Sequence, residues 1–194
     1  MIRNRLNRSE AEFERDLYVI RRRIEKAADA AHVDLYVCSM SCRSVIYKGM
    51  FLAENLADFY PDLLDERFVS RFAIYHQRSS TNTFPTWKLA QPFRRIAHNG
   101  EINTLSGNVN WMRSHETRLA DPALAPYMSD LKAVIQSGGS DTATLDNVFE
   151  LLTHAGRDAP MVKNLLIPAS IGSNSAMPLK QRALFSYCNA VMEP

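Results

Sequence analysis

The sequence predicts an α+β fold, and three observations lead to it. A long run from Ser9 to about Ala31 carries apolar side chains at three- and four-residue spacing. Shorter runs between about 34 and 100 alternate apolar and polar residues, the period of a half-buried strand. Helical spacing then returns from about 102 to the C-terminus. With 194 residues, 46% hydrophobic and 23% charged, the protein has enough apolar sequence to bury one sizeable core and reads as one domain over 1–194.

The first helix is marked by Phe13, Leu17, Ile20, Ile24, Ala27 and Ala31 along one stripe. Ser9 with Glu12 forms a capping-box pattern, acids crowd its start, and Arg21, Arg22, Arg23 and Lys26 fall towards its end. That charge order suits the helix dipole, so the triple arginine reads as a solvated helix end. "DLYVCSMSC" and "SVIYKGMF" are expected to pair as a hairpin around Cys42 and Arg43, and "AENLADFYPDLL" to be helical up to Pro61. "RFVSRFAIYHQRS" alternates like a strand and runs into the polar "SSTNTFPTW"; "QPFRRIAHNG" is a second short strand that breaks at Gly100. "INTLSGNVNWMRSHETRLA" has helical composition around Gly107. In "DTATLDNVFELLTHAG", Leu145, Val148, Phe149 and Leu152 share a side and Gly156 is the stop. Pro160 can open the next helix, and "PLKQRALFSYCNAVM" completes the pattern.

Charge and composition exclude several classes of function. The net charge of +2 is the remainder of 23 basic and 21 acidic residues, too balanced for nucleic acid or an anionic membrane as main partner. No apolar stretch approaches the ~18 residues of a membrane span, and "MIRNRLNRSE" has no secretory apolar region. Cys38, Cys42 and Cys188 are an odd number without a CxxC pair, which supports neither a disulfide framework nor a zinc site. No metal is expected, and a reducing, cytoplasmic setting fits.

Three polar clusters end predicted elements, where side chains can converge: "HQRSSTNT", "AHNG" and "GGSD". Together they suit a small zwitterion. Arg78 offers a planar fork to a carboxylate and Asp141 a counter-charge to an ammonium. Asn99 and Gly100 offer a side-chain amide and an adjacent backbone N–H to one oxygen, an oxyanion hole in outline. Each has a plainer reading: Asn-Gly as a turn, Arg78 as a surface or structural ion pair, Asp141 as a helix N-cap.

Context favours the functional readings. "YHQRSSTNTFPTWKLAQPFRRIAHNGEINTLSGNVNWMRSHE" followed by "SGGSDTATLDNVFELL" closely resembles the glutaminase domain of glutamate synthase large subunits, and the similarity runs over nearly the whole sequence. The wider family, class II glutamine amidotransferases of the N-terminal nucleophile type, shares only an Arg-x-Ser-Thr-like stretch and the Asn-Gly pair. The resemblance implies a partial αββα four-layer sandwich. It implies that Arg78 binds the α-carboxylate of L-glutamine, with Ser80 and Thr81 in the same pocket, and that Asp141 binds the α-ammonium. Asn99 and Gly100 would form the oxyanion hole. In the family a cysteine at the mature N-terminus attacks the amide with its own α-amino group as base, and the thioester hydrolyses to glutamate and ammonia. The ammonia would reach a second site in the parent enzyme, where 2-oxoglutarate is aminated and reduced using FMN and an iron-sulfur cluster. No cofactor is implied for this segment. The implied partners are the remainder of the glutamate synthase large subunit and a small electron-donating subunit.

Two departures qualify the resemblance. Ser79 stands where an aromatic residue is expected, which loosens the pocket wall without removing its charges. No cysteine lies within the first 37 residues, so the family's nucleophile and first strands are missing. Cys38 and Cys42 cannot replace it, because neither supplies a free α-amino group. The expectation is a glutaminase segment without its beginning, inactive by itself, with sheet edges exposed unless a partner segment covers them. The alternative is a non-catalytic glutamine- or glutamate-binding relative, marked by binding without turnover. A nucleic-acid reading of "RNRLNR" and "RRR" is opposed by the acids on the same helix.

Overall fold

The computed structural model describes residues 2, 4, 7–77, 86–100, 102, 104–170 and 177–191. Its regular structure is helical: α1 (Glu10–Ala30), a single turn α2 (Leu56–Phe59), α3 (Leu105–Glu116), a single turn α4 (Met128–Leu131), α5 (Asp141–His154), α6 (Ala159–Leu166) and α7 (Leu179–Val191). Short 3₁₀ turns at Ala53–Asn55, Pro61–Leu64, Trp87–Leu89 and Ala125–Tyr127 join them.

The helix ends follow the sequence signals. Ser9 Oγ accepts the Glu12 N–H at 3.3 Å and Glu12 returns a carboxylate oxygen to the Ser9 N–H at 2.9 Å, closing the capping box. The Ser9 hydroxyl, donating to Glu12 Oε2 at 2.6 Å, and then the Ser9 N–H hold the Glu12 carboxyl below its usual range. At the end of α5, Gly156 adopts φ +90, its N–H donates to Thr153 O at 3.1 Å and that of Arg157 to Leu152 O at 3.2 Å. This closure needs a left-handed residue, which Gly156 supplies without strain. Asp158 stands at the N-cap position of α6 without a side-chain cap bond, and Pro160 sits in the first turn.

Helices α1, α3, α5 and α6 and the 124–134 segment around α4 share one apolar core, with Leu124, Leu131, Leu151 and Val162 at its centre. Each such side chain contributes roughly 1.5–3 kcal/mol by leaving water. The buried face of α1 differs from the expected stripe. Ile20 is 45% exposed and Ile24 39%, whereas Arg21 is 2% exposed and Arg22 5%. The triple arginine is therefore not a solvated helix end, and only Arg23 faces out. Arg21 pairs with Glu25 at 2.7 Å and with Glu150 of α5. Arg22 pairs with Glu25 at 3.2 Å and donates to Ala133 O at 2.8 Å; Arg94 reaches the same Glu25 at 2.9 Å. Burial of these charges is tolerated because each has a partner of opposite sign.

The α+β expectation, and the partial αββα sandwich with it, is overturned: among the described residues no strand forms. The alternating segments run through bends and turns, and side chains or local turns, not a ladder, take up backbone groups there. Around the expected hairpin, the Cys42 N–H donates to Glu14 at 2.6 Å and that of Arg43 to Ser41 Oγ at 2.9 Å. A bend results, without pairing. The expected strand at "QPFRRIAHNG" instead lies along α5, where the N–H groups of Arg94, Arg95 and Ile96 go to a single carboxylate. Alternation marks a segment that could be a strand; a sheet also needs a second edge in register.

Candidate functional site

Helix α5 positions the site through four polar residues one turn apart: Thr142, Asp146, Glu150 and His154, all buried. Asp146 is 0% exposed. Its Oδ1 accepts the N–H groups of Arg95 at 2.8 Å and Ile96 at 3.0 Å, and its Oδ2 that of Arg94 at 3.2 Å. Burial and the nearby Glu150 raise the Asp146 carboxyl despite these donors. Burial acts to raise Glu150 as well, but Arg21 and Arg94 hold it below the usual carboxylate range. His154 stacks on Tyr18 with centroids 4.6 Å apart, and its Nε2 lies 2.8 Å from the donating Arg95 Nη2.

Burial, joined by the Arg95 charge, lowers His154 from its ordinary 6.5 to about 4, so it stays neutral. The unfolded protein then binds more protons than the folded one between those two values. Stability from this residue is complete above pH ~6.5 and falls as pH drops towards ~4, by up to about 3 kcal/mol. The raised Asp146 opposes the loss at the acid end. Urea unfolding across this range is expected to show the decline, and His154→Phe, which keeps the ring contact, to flatten it. A slope unchanged in that variant would assign the acid sensitivity to the carboxylates.

The segment held by Asp146 continues into His98, Asn99 and Gly100. The His98 N–H donates to Gln91 Oε1 at 2.7 Å, and its ring bridges two elements. Nδ1 accepts the Gly100 N–H at 3.1 Å and Nε2 lies 2.8 Å from Thr142 Oγ1 on α5. Thr142 is bound in turn to Asp141: its N–H lies 2.6 Å and its hydroxyl 3.2 Å from Asp141 Oδ1. Ser140, not Asp141, is the N-cap of α5, with its Oγ accepting the Ala143 N–H at 3.2 Å. The cap reading of Asp141 is therefore set aside. Its carboxylate is half-buried on the wall of a cleft of about 740 Å³. His98 is also on that wall, beside apolar Ile74, Ile102, Leu145 and Phe149.

Asn99 and Gly100 are exposed beyond this wall. Asn99 Oδ1 is 3.3 Å from His76 Nε2, which engages the amide oxygen and leaves the NH₂ as the donor end. Gly100 lies outside the left-handed region, and a Cβ there would meet only His98 Nδ1, at 3.6 Å. Arg78, Ser79, Ser80 and Thr81 lie outside the described residues. Among the expected site residues, then, Gly100 and Asp141 are linked through His98 and Thr142, and Asn99, next to Gly100 in sequence, meets His76 instead. Sequence reading missed those two connectors and Asp146. Their signal was present as polar residues at four-residue spacing on α5, opposite its apolar side.

A family model described as glutamine amidotransferases class-II matches residues 1–194. The protein is 63% identical over 187 residues to the glutamate synthase [NADPH] large chain of Azospirillum brasilense, a match spanning 96% of its own length and 12% of that relative's. The large chain of Bacillus subtilis is 43% identical over 94% of this protein and 12% of its own length. A chloroplastic ferredoxin-dependent glutamate synthase of Spinacia oleracea is 44% identical over 87% of this protein and 10% of its own length. The 194 residues thus span about an eighth of the length of these relatives.

Proposed function

The protein belongs to the class-II glutamine amidotransferases, and from this premise we propose that it is a segment of the glutaminase domain of a glutamate synthase large chain. Residues 1–194 act in it as one unit. The reaction is hydrolysis of L-glutamine: water is consumed, the carbon–nitrogen bond of the terminal amide breaks, and glutamate and ammonia leave. The observation that carries this reading is the series of contacts from Gly100 through His98 and Thr142 to Asp141 at the cleft wall. It couples the Gly100 N–H, one of two oxyanion donors in this reading, to a carboxylate suited to an α-ammonium. Asp141 and Arg78 hold the two charged ends of glutamine, with Ser80 and Thr81 beside Arg78. Asn99 and Gly100 stabilise the charge on the amide oxygen as the bond breaks.

The nucleophile is not among this protein's thiols. Burial and the Glu14 carboxylate push the Cys42 thiol up to about 11, burial raises Cys38 as well, and Cys188 is buried in α7. None of these internal cysteines has a free α-amino group as base. FMN and the iron-sulfur cluster belong to the synthase's second site. The remaining partners are the rest of the large subunit and a small electron-donating subunit. No described helix is long and apolar enough to cross a membrane, and the free thiols favour the cytoplasm.

Arg78→Ala and Asp141→Ala, made in a glutamate synthase large subunit that contains this segment, test the reading. Contacts present in ground and transition states alike govern KM, so each variant should raise the KM for glutamine by roughly 10- to 100-fold with kcat within a few-fold. Unchanged glutamine dependence in both, with folding intact, would reduce them to a surface cation and the first residue of a helix.

A further inference from the structure

The geometry points to His98 as a positioning residue of the glutaminase reaction: we propose that its ring, neutral and protonated on Nε2, holds the Gly100 N–H, one of the two oxyanion donors, in register with Asp141. The inference rests on the functional reading above and adds to it a residue that touches neither the scissile amide nor the α-ammonium. Its support is the direction of four hydrogen bonds. A backbone N–H can only donate, so the Gly100 N–H at 3.1 Å requires a lone pair on Nδ1. A carboxylate can only accept, so Asp141 Oδ1 at 3.2 Å takes the Thr142 hydroxyl hydrogen. Thr142 Oγ1 must then accept at 2.8 Å from the ring, which places the proton on Nε2. Both ends of the relay are directional, and a single proton arrangement satisfies all of it. The fourth bond, from the Thr142 N–H to the same Oδ1 at 2.6 Å, ties the relay to the first turn of α5.

The ring therefore has two separable duties. Through Nδ1 it holds the Gly100 N–H in direction, and the developing oxyanion, a stronger acceptor than a neutral nitrogen, shares that hydrogen while Nδ1 keeps its aim. Through Nε2 it orients the Thr142 hydroxyl and with it the Asp141 carboxylate. The first duty acts on the transition state and the second on glutamine binding, so two conservative variants should divide them.

The test measures glutamine-dependent ammonia release in a glutamate synthase large subunit containing this segment, alongside ¹⁵N NMR of the histidine-labelled 194-residue protein. His98→Gln reaches Thr142 but puts no acceptor at the place of Nδ1; kcat should fall roughly tenfold with KM within a few-fold. His98→Asn keeps an acceptor for Gly100 but is too short for Thr142; KM should rise roughly tenfold with kcat within a few-fold. Thr142→Val should reproduce the rise in KM, and Thr142→Ser should reverse it. The NMR spectrum of the wild-type protein near neutral pH should show His98 with Nε2 protonated and Nδ1 bare, and this needs no variant to fold. A ring protonated on Nδ1, or on both nitrogens, overturns the proposal. So does a loss of thermal stability without the division between kcat and KM. If Asn99→Ala and Asp141→Ala act as expected and the His98 variants do not divide, the inference alone fails. If variants at all three positions leave turnover and KM unchanged, the functional reading fails with it.

Discussion

Asn99→Ala, made in a glutamate synthase large subunit that contains this segment, is expected to lower kcat by about 10²–10³ while KM for glutamine stays within a few-fold. The amide oxygen becomes strongly charged only as the tetrahedral intermediate forms, so a donor aimed at it contributes little to ground-state binding. The plainer view, that Asn99-Gly100 only shapes a turn, makes the opposite forecast: thermal stability falls and kcat per folded molecule holds. Asn99 is exposed, with its side-chain oxygen near His76, so its truncation should cost the fold within about 0.5 kcal/mol. Measuring kcat and the unfolding midpoint on one sample separates the two, and an unchanged kcat would remove the oxyanion role. Gly100→Ala adds a control. The backbone there is outside the left-handed region and a Cβ meets nothing closer than 3.6 Å, so stability should hold. Any loss of turnover in that variant then comes from the methyl group crowding the oxygen's place.

Asp146→Ala should be the most damaging substitution for the fold, at about 3–5 kcal/mol. It removes a fully buried carboxylate and orphans three consecutive backbone N–H groups, those of Arg94, Arg95 and Ile96. A loss of that size is a large fraction of the stability of an ordinary domain. Urea unfolding gives the magnitude, and hydrogen exchange at residues 94–98 shows where it acts. Asp146→Asn keeps oxygen for part of the set but turns an NH₂ towards a donor, and should fall between alanine and wild type. If Asp146→Ala unfolds at the wild-type urea concentration, the segment carrying His98, Asn99 and Gly100 is held by something other than α5.

Local signals determined a good deal of this protein. The Ser9–Glu12 box, Pro160 and Gly156 each act within a few residues of their own position, and each bounds its helix as read. The motifs "AHNG" and "GGSD" were likewise visible as candidate site elements. Tertiary structure decided the rest. Whether Arg21 and Arg22 face solvent depends on Glu150, 129 residues from Arg21, and on Ala133, 111 residues from Arg22. The alternation in "QPFRRIAHNG" reads as a strand, but Asp146 took hydrogen bonds that a neighbouring strand would have used. Thr142, Asp146, Glu150 and His154 look like an ordinary polar face until their partners from distant segments arrive. Propensity, capping and turn chemistry are local energies and can be read from adjacent residues; burial of a charge or pairing of an edge is favourable only when a particular distant group meets it.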